Sequence, residues 1–254
     1  MSGKLRVLDL FSGIGGFSLG LERTGGFETV AFCEIDPFCR RVLARHWPNV
    51  PCFEDVTKLK AEDVGPVDVI CGGFPCQDIS EANHAGEGLD GKRSGLWFEY
   101  ARLIGELRPD FAIVENTSAL LARGLGRVLG SLAEVGYDAE WHSIPASALG
   151  AVHERDRVWI LAYPSATQRG PLIEQGDLAR ANRVLSERAE DASRTARVLE
   201  AASWDRPWLE VIDDVRRLDD GLPVRLDGFN ALANAVVPPI PEMFGRAILE
   251  QRAA

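Results

Sequence analysis

Residues 72–80, with the sequence GGFPCQDIS, place a cysteine in an unusual setting. A short apolar run ends at Cys71, two glycines break it, and Cys76 follows directly after Pro75. A lone cysteine is most often a small buried apolar residue. A catalytic cysteine instead needs thiolate character and access, which a strand end beside backbone dipoles supplies. The flanking GGFP and QDIS favour the second role, so we predict that Cys76 is a nucleophile.

A carboxylate and two arginines follow other predicted strands. Glu115 ends an apolar strand, where a carboxyl group can have a raised pKa and donate a proton. The alternative is an acidic residue at the start of a helix over SALL. Arg155 and Arg157 are two residues apart, so they share one face of a strand and suit recognition of a carbonyl or a phosphate. Because Glu154 and Asp156 are adjacent to these arginines, a surface strand stabilised by salt bridges is the alternative.

The stretch DLFSGIGGFSLG follows a strand and opens a helix. Its glycines allow a ligand to approach the backbone, and Glu34, 21 residues after Gly13, ends a second strand where it could hold ribose hydroxyls. Ser18 occupies the place of the third glycine of a dinucleotide fingerprint, so NAD is not favoured. A tight turn without a ligand is the alternative.

The elements that must position these residues alternate between strands and helices. We predict strands over 5–11, 29–36, 67–73, 110–116, 137–146 and 155–164, and helices ending at 23 and over 37–47, 94–109 and 125–136. This alternation is typical of an α/β fold with a doubly wound, mostly parallel sheet. Ligands of such sheets bind beyond the carboxyl ends of the strands, which is where the candidate residues fall.

Composition sets further limits. The 254 residues contain no apolar run long enough to span a membrane and no signal peptide, and the five cysteines form no C-x-x-C pair. A reduced cytoplasmic interior is therefore expected. No metal is expected, since the four histidines are scattered. The net charge of −10 argues against tight non-specific binding of DNA but leaves room for a local basic face.

We predict three regions. Residues 1–163 form a catalytic domain. Residues 164–223 form a short region of charged composition. Residues 224–254 become apolar again and should pack back on the first domain.

Seven motifs together resemble those of the DNA (cytosine-5) methyltransferases. They are DLFSGIGGFSLGLE, EIDPFC, GGFPCQDIS, RSGLWFEYARL, VEN, HERDRVWIL and LANAVVP, in the family's order and at roughly its spacing. The resemblance implies a Rossmann-like class I methyltransferase domain with a small target-recognition region over 164–223. It also implies S-adenosylmethionine as the cofactor.

The resemblance assigns roles to the candidate residues. Cys76 would attack C6 of a cytosine flipped out of duplex DNA, because C5 becomes nucleophilic only after this addition. Glu115 would hold N3 and the exocyclic amine, and Arg157, helped by Arg155, would hold the base carbonyl. C5 would then take the methyl group, and loss of its proton and of Cys76 would give 5-methylcytosine. The stretch 80–93 resembles the family's mobile loop, and its Lys92 and Arg93 would reach the DNA phosphates.

The implied cofactor site draws on six parts of the chain. Glu34 would take the ribose, and Asp55 with Val56 the adenine. The full set is Phe11, Ser12, Gly13, Ile14, Gly15, Gly16, Glu34, Ile35, Asp55, Val56, Pro75, Leu96, Asn234 and Ala235.

Three positions depart from the common pattern of the family: Thr117, His153 and Ala233. The recognition region is also short. Double-stranded DNA is the expected partner, with a companion restriction enzyme or specificity partner, and we expect a monomer. Two alternatives stay open: a tRNA cytosine-5 methyltransferase, and a catalytically weak DNA- or partner-binding protein that retains the fold.

Overall fold

The structure is a computed structural model that describes residues 3–75, 95–145, 156–167, 171–173 and 235–253. Its strands are β1 (Leu5–Leu10), β2 (Phe27–Cys33), β3 (Cys52–Phe53), β4 (Val69–Gly73), β5 (Phe111–Thr117), β6 (Tyr137–Pro145) and β7 (Asp156–Pro164). Its α-helices are α1 (Gly16–Arg23), α2 (Pro37–His46), α3 (Ala61–Val64), α4 (Leu96–Leu107), α5 (Ala119–Arg123), α6 (Leu125–Glu134) and α7 (Pro239–Ala253).

All seven strands join one sheet in the order β3-β2-β1-β4-β5-β7-β6. The pairs from β3 to β5 are parallel, whereas β7 runs antiparallel to both β5 and β6. The predicted doubly wound, mostly parallel sheet is confirmed. The chain reverses its order of strands beside β1, so the carboxyl ends of β1, β2, β4 and β5 open onto one crevice.

Helices cover both faces of the sheet, which explains why its strands are apolar runs. On β1, Leu8 and Leu10 pack into a core that α4 and α6 close. Leu5 and Val7 point to the opposite core, which α1 and α7 close with residues such as Phe244.

The C-terminal segment approaches α1 very closely. A Cβ atom added at Gly20 would lie 2.2 Å from the backbone oxygen of Pro238, and one added at Gly16 would lie 2.4 Å from that of Val236. Two small residues on one face of α1 therefore let the chain before α7 lie against that helix. The limits of the three predicted regions stay predictions, since residues 174–234 lie outside the described part.

The predicted elements differ from the observed ones mainly at their ends. The second strand begins earlier than predicted, at Phe27. It ends earlier, at Cys33, because the Glu34 side chain binds the backbone N–H groups of Gly13 and Asp36. Three short elements, β3, α3 and α5, were not predicted, because they contain too few residues for the spacing of apolar side chains to reveal a strand or a helix. Within the described ranges, no helix has the length and apolar character needed to cross a bilayer.

Candidate active site

The register of the sheet brings the predicted residues together. Leu10 pairs with Cys33 on one side and with Gly72 on the other, and Gly72 pairs with Val114. The residues that follow this row on β1, β2, β4 and β5 are Phe11, Glu34, Gly73 and Glu115. Because parallel strands end at the same edge, the glycine stretch, both carboxylates and the segment leading to Cys76 leave the sheet side by side.

Glu115 is paired with an arginine from the antiparallel strand. Its Oε1 lies 2.8 Å from Nε of Arg157, and Glu115 is only 9% exposed. The pairing of Thr117 with Arg157 across β5 and β7 brings the two side chains within reach. Nη1 of Arg157 also donates to the backbone oxygen of Asp156. A buried carboxylate and a guanidinium thus form one polar unit at the end of the central strands.

The two glycines that end β4 leave room for their neighbours. A Cβ atom at Gly72 would lie 2.2 Å from the backbone oxygen of Leu10, and one at Gly73 would lie 2.5 Å from Oε2 of Glu115. The glycine pair before Cys76 therefore lets β4 fit beside β1 and lets the Glu115 carboxylate stand against the chain that leads to the cysteine.

Asn116 ties β5 to that same chain. Its Nδ2 donates to the backbone oxygen of Phe74 at 3.2 Å, and its Oδ1 accepts from the backbone N–H of Thr117 at 2.8 Å. Phe74 is buried and packs on Trp97, with 5.3 Å between ring centroids. The chain is thus fixed up to Pro75, directly before Cys76. Sequence reasoning missed this role of Asn116.

Several predicted residues fall outside the described part of the chain. They are Cys76, Arg155 and Asn234, together with two of the three departures, His153 and Ala233. The third departure, Thr117, has a buried hydroxyl that makes no hydrogen bond to any described residue.

Glu34 closes the glycine stretch onto the end of β2. Its Oε2 accepts from the backbone N–H of Gly13 at 2.7 Å, and its Oε1 accepts from that of Asp36 at 2.8 Å. Asp36 in turn caps α2 by accepting from the N–H groups of Phe38 and Cys39. The Glu34 carboxylate is thus held in one orientation at the strand end.

The glycine stretch itself has a strained start. Phe11 adopts φ = +52°, which costs a bulky residue about 1–2 kcal/mol, and its ring stacks on Tyr100 with 6.4 Å between centroids. Gly13 follows at φ = +52°, and a Cβ atom there would meet no described atom within 4 Å. This open side of the stretch is where a ligand could approach the backbone. Strain at such a position is typical of functional sites.

Other members of the predicted cofactor set contact protein instead. The hydroxyl of Ser12 donates to the backbone oxygen of Asp9 at 2.6 Å. Ile14 packs against Phe38 and Cys39, and Gly16 lies against the segment before α7. Their contacts with other parts of the protein stabilise the conformation of the glycine stretch.

The remaining predicted residues that the structure describes differ in their exposure. Ile35 is 76% exposed, which is unusual for a large apolar side chain. Asp55 accepts from the N–H and hydroxyl of Thr57, and these bonds lower the pKa of its carboxyl group. Val56 is buried, whereas Pro75, Leu96 and Ala235 are half-buried.

A buried acid beneath the glycine stretch was missed. Asp9 is fully buried on β1, and its Oδ2 accepts from Oγ of Ser18 at 2.7 Å and from the N–H of the same residue at 3.3 Å. Burial raises the pKa of Asp9 from 3.8 to about 7, against the opposing effect of these hydrogen bonds. Ser18, predicted only as a departure from a dinucleotide fingerprint, thus joins α1 to β1.

Comparison with solved structures first identifies the fold. The structure is similar to that of a mutant of Spodoptera frugiperda DNMT2, with a TM-score of 0.65, 14% identity, and coverage of 97% of this chain and 100% of the other. At that identity the likeness shows only that the two proteins share a fold.

Sequence comparison identifies the family. The model of the C-5 cytosine-specific DNA methylases matches residues 5–209, and the chain belongs to that family. It is 36% identical over 166 residues to the Type II methyltransferase M2.BsuMI of Bacillus subtilis and 34% identical over 164 residues to M1.ScrFI of Lactococcus lactis. These matches cover 62% and 63% of this chain but 42% of each relative, so the chain spans less than half the length of these relatives.

Proposed function

We propose that the chain is a DNA (cytosine-5) methyltransferase that transfers a methyl group from S-adenosylmethionine to C5 of a flipped-out cytosine. The observation that carries this proposal is the ion pair of the buried Glu115 with the partly exposed Arg157 at 2.8 Å, at the end of β5 beside the chain that leads to Cys76. Family membership supports the same conclusion.

The residues at the ends of β1 and β2 fit the cofactor. Glu34 is a fixed carboxylate whose oxygens retain lone pairs for ribose hydroxyls. The open side of Gly13 admits a ligand to the backbone, and the exposed side chain of Ile35 offers an apolar surface to an adenine ring. When bound, S-adenosylmethionine supplies an electrophilic methyl group. Asn234 remains part of the proposed site.

The base would be held between the ends of β4, β5 and β7. The Cys76 thiolate would add to C6, and Glu115, once it has taken up a proton, would donate that proton to N3 as the bond forms. Arg157, with Arg155, holds the base carbonyl and also orients the Glu115 carboxylate through the observed ion pair. Transfer of the methyl group to C5 would leave S-adenosylhomocysteine as the second product. The C5 proton would then pass to solvent, the Cys76 thiolate would leave C6, and N3 would return its proton to Glu115, which restores the aromatic ring.

Double-stranded DNA is the proposed substrate, because the matching family model is that of the C-5 cytosine-specific DNA methylases. The target base must leave the stack before Cys76 can reach its ring. Residues 164–223 are the proposed target-recognition region. A companion restriction enzyme or specificity partner, a monomeric state and a cytoplasmic location belong to the same proposal.

The test uses purified protein with methyl-labelled S-adenosylmethionine and either mixed-sequence duplex DNA or bulk tRNA. The substrates are then digested to nucleosides. Label in 5-methyldeoxycytidine supports the proposal, whereas label in 5-methylcytidine from tRNA points to the RNA enzyme. Cofactor binding without label in either substrate contradicts the proposed turnover and points to a binding protein.

A matched pair of cysteine variants tests the proposed nucleophile. Cys76→Ser should lower turnover roughly a thousandfold or more while cofactor binding is retained. Cys71→Ala is the control, because Cys71 is a fully buried free thiol five residues earlier in the chain. Comparable turnover by Cys76→Ser and the unmodified protein would contradict the covalent mechanism.

A further inference from the structure

Behind the glycine stretch stands an aromatic residue that the motifs do not include. Gly15 caps the N-terminus of α1 at φ = +86°. A Cβ atom at Gly15 would lie 2.6 Å from Cζ3 and 2.8 Å from Cη2 of Trp47. The edge of the indole ring therefore packs directly on the Cα atom of Gly15, at the point where the stretch turns into the helix.

Trp47 is itself held by three neighbouring elements. Its Nε1–H donates to Oε2 of Glu22 on α1 at 2.9 Å, and Oε1 of Glu22 accepts from the backbone N–H of Thr29 on β2 at 3.0 Å. The Trp47 ring meets Phe32 edge-on, with 5.3 Å between centroids. Its backbone N–H donates to the oxygen of Leu43 at the end of α2. The indole is thus a fixed support that connects both ends of α1 to β2 and α2.

The two sides of the glycine stretch differ. Trp47 fills the side at Gly15, whereas no described atom lies within 4 Å of a Cβ atom placed on Gly13. The Gly13 N–H is bonded to Glu34, the proposed ribose ligand. Trp47 therefore contacts the stretch at Gly15, and the open side at Gly13 is where the cofactor would bind.

We infer that Trp47, anchored by Glu22, is a positioning residue for cofactor binding. It holds Gly15 in the left-handed conformation that begins α1, and so sets the backbone of Gly13 relative to Glu34. This inference rests on the proposed function. Because Trp47 touches neither the base nor the reacting atoms, its loss should weaken cofactor binding and leave the chemical step intact.

The test measures the dissociation constant of S-adenosylhomocysteine by calorimetry, first for the unmodified protein. Trp47→Leu removes the ring and the indole hydrogen bond, and should raise this constant roughly tenfold. Trp47→Phe and Glu22→Gln keep part of the support, and each should raise it about threefold. Trp141→Leu is the matched control, since Trp141 is an exposed tryptophan on β6 at the far edge of the sheet.

Steady-state kinetics separates positioning from a general structural role. The KM for S-adenosylmethionine should rise with the dissociation constant in the Trp47 variants, while kcat at saturating cofactor stays within about twofold. If the folded variants bind S-adenosylhomocysteine as tightly as the unmodified protein does, the inference about Trp47 is wrong and the proposed function is unaffected. If Trp47→Leu does not fold, Trp47→Phe and Glu22→Gln decide by the same criterion. An unmodified protein that binds no S-adenosylhomocysteine would overturn both proposals.

Discussion

Replacing the buried acid Asp9 with asparagine should change how stability depends on pH. Asp9 is fully buried under the glycine stretch, with Ser18 donating to one of its oxygens. Burial raises the pKa of its carboxyl group from 3.8 to about 7, and the nearby charges of Glu34 and Glu22 act in the same direction. Asparagine keeps the shape and an oxygen acceptor for Ser18 but cannot ionise.

The size and sign follow from proton linkage. A pKa raised from 3.8 to about 7 means that between these values the folded protein holds a proton that the unfolded chain releases. The contribution of Asp9 to stability is therefore greatest below pH 3.8 and is lost as pH rises through 7. The full difference corresponds to about 4 kcal/mol, and about 2 kcal/mol of it falls between pH 5 and pH 7.

The assay is urea unfolding of the Asp9→Asn and unmodified proteins at pH 5, 6, 7 and 8. The difference between the free energies of unfolding, variant minus unmodified protein, should increase by about 2 kcal/mol from pH 5 to pH 7. From pH 7 to pH 8 it should increase by less than about 0.5 kcal/mol. Asp110→Asn, at an exposed aspartate, is the control and should show no such trend. If the difference in free energy of unfolding between Asp9→Asn and the unmodified protein stays constant from pH 5 to 7, the pKa of Asp9 is not raised in the folded protein.

Three further predictions test the helix contact and the site. Gly20→Ala should lower the free energy of unfolding by roughly 2–3 kcal/mol, because its Cβ atom would lie 2.2 Å from a backbone oxygen. Gly130→Ala, which adds a Cβ atom in open space on α6, should raise it by about 0.5–1 kcal/mol. Equal effects of the two substitutions in urea unfolding would contradict the close approach of α1 and the C-terminal segment. Glu115→Gln should lower kcat roughly a hundredfold with S-adenosylhomocysteine affinity unchanged, and a large loss of that affinity would show that the residue is misplaced. Asn116→Ala leaves the Phe74 carbonyl without its partner, so kcat should fall about tenfold in the same assay; unchanged kcat would show that this bond does not position the Cys76 segment.

Much of the site could be predicted because strand ends are readable in sequence. Apolar runs broken by glycine or ended by a carboxylate mark the carboxyl ends of parallel strands, and all such ends meet at one edge. Gly13, Glu34 and Glu115 were placed in this way, and the register of the sheet brings them to the same edge. The predicted catalytic roles of Glu115 and of Cys76 remain to be tested by activity.

Contacts between distant parts of the chain could not be predicted. The pairing of Arg157 with Glu115 depends on β7 lying antiparallel to β5, which no local pattern encodes. Trp47 and Glu22 are 25 residues apart, and their hydrogen bond forms only after α1, β2 and α2 have packed. Asp9 reads as one polar residue within an apolar strand, a signal that marks a buried polar group but names no partner.

The most direct test of the proposed mechanism traps the bond between the chain and the base. The protein is incubated with S-adenosylmethionine and duplex DNA that contains 5-fluorocytosine. After methylation, C5 of this base carries fluorine where cytosine carries the proton that must be lost. The bond between Cys76 and C6 therefore cannot be eliminated, and the protein stays attached to the DNA. We expect a covalent adduct that mass spectrometry of the digested complex places on Cys76, and no adduct with Cys76→Ser. Methylation of ordinary duplex DNA together with no adduct on the fluorinated DNA, or an adduct on another cysteine, would contradict it.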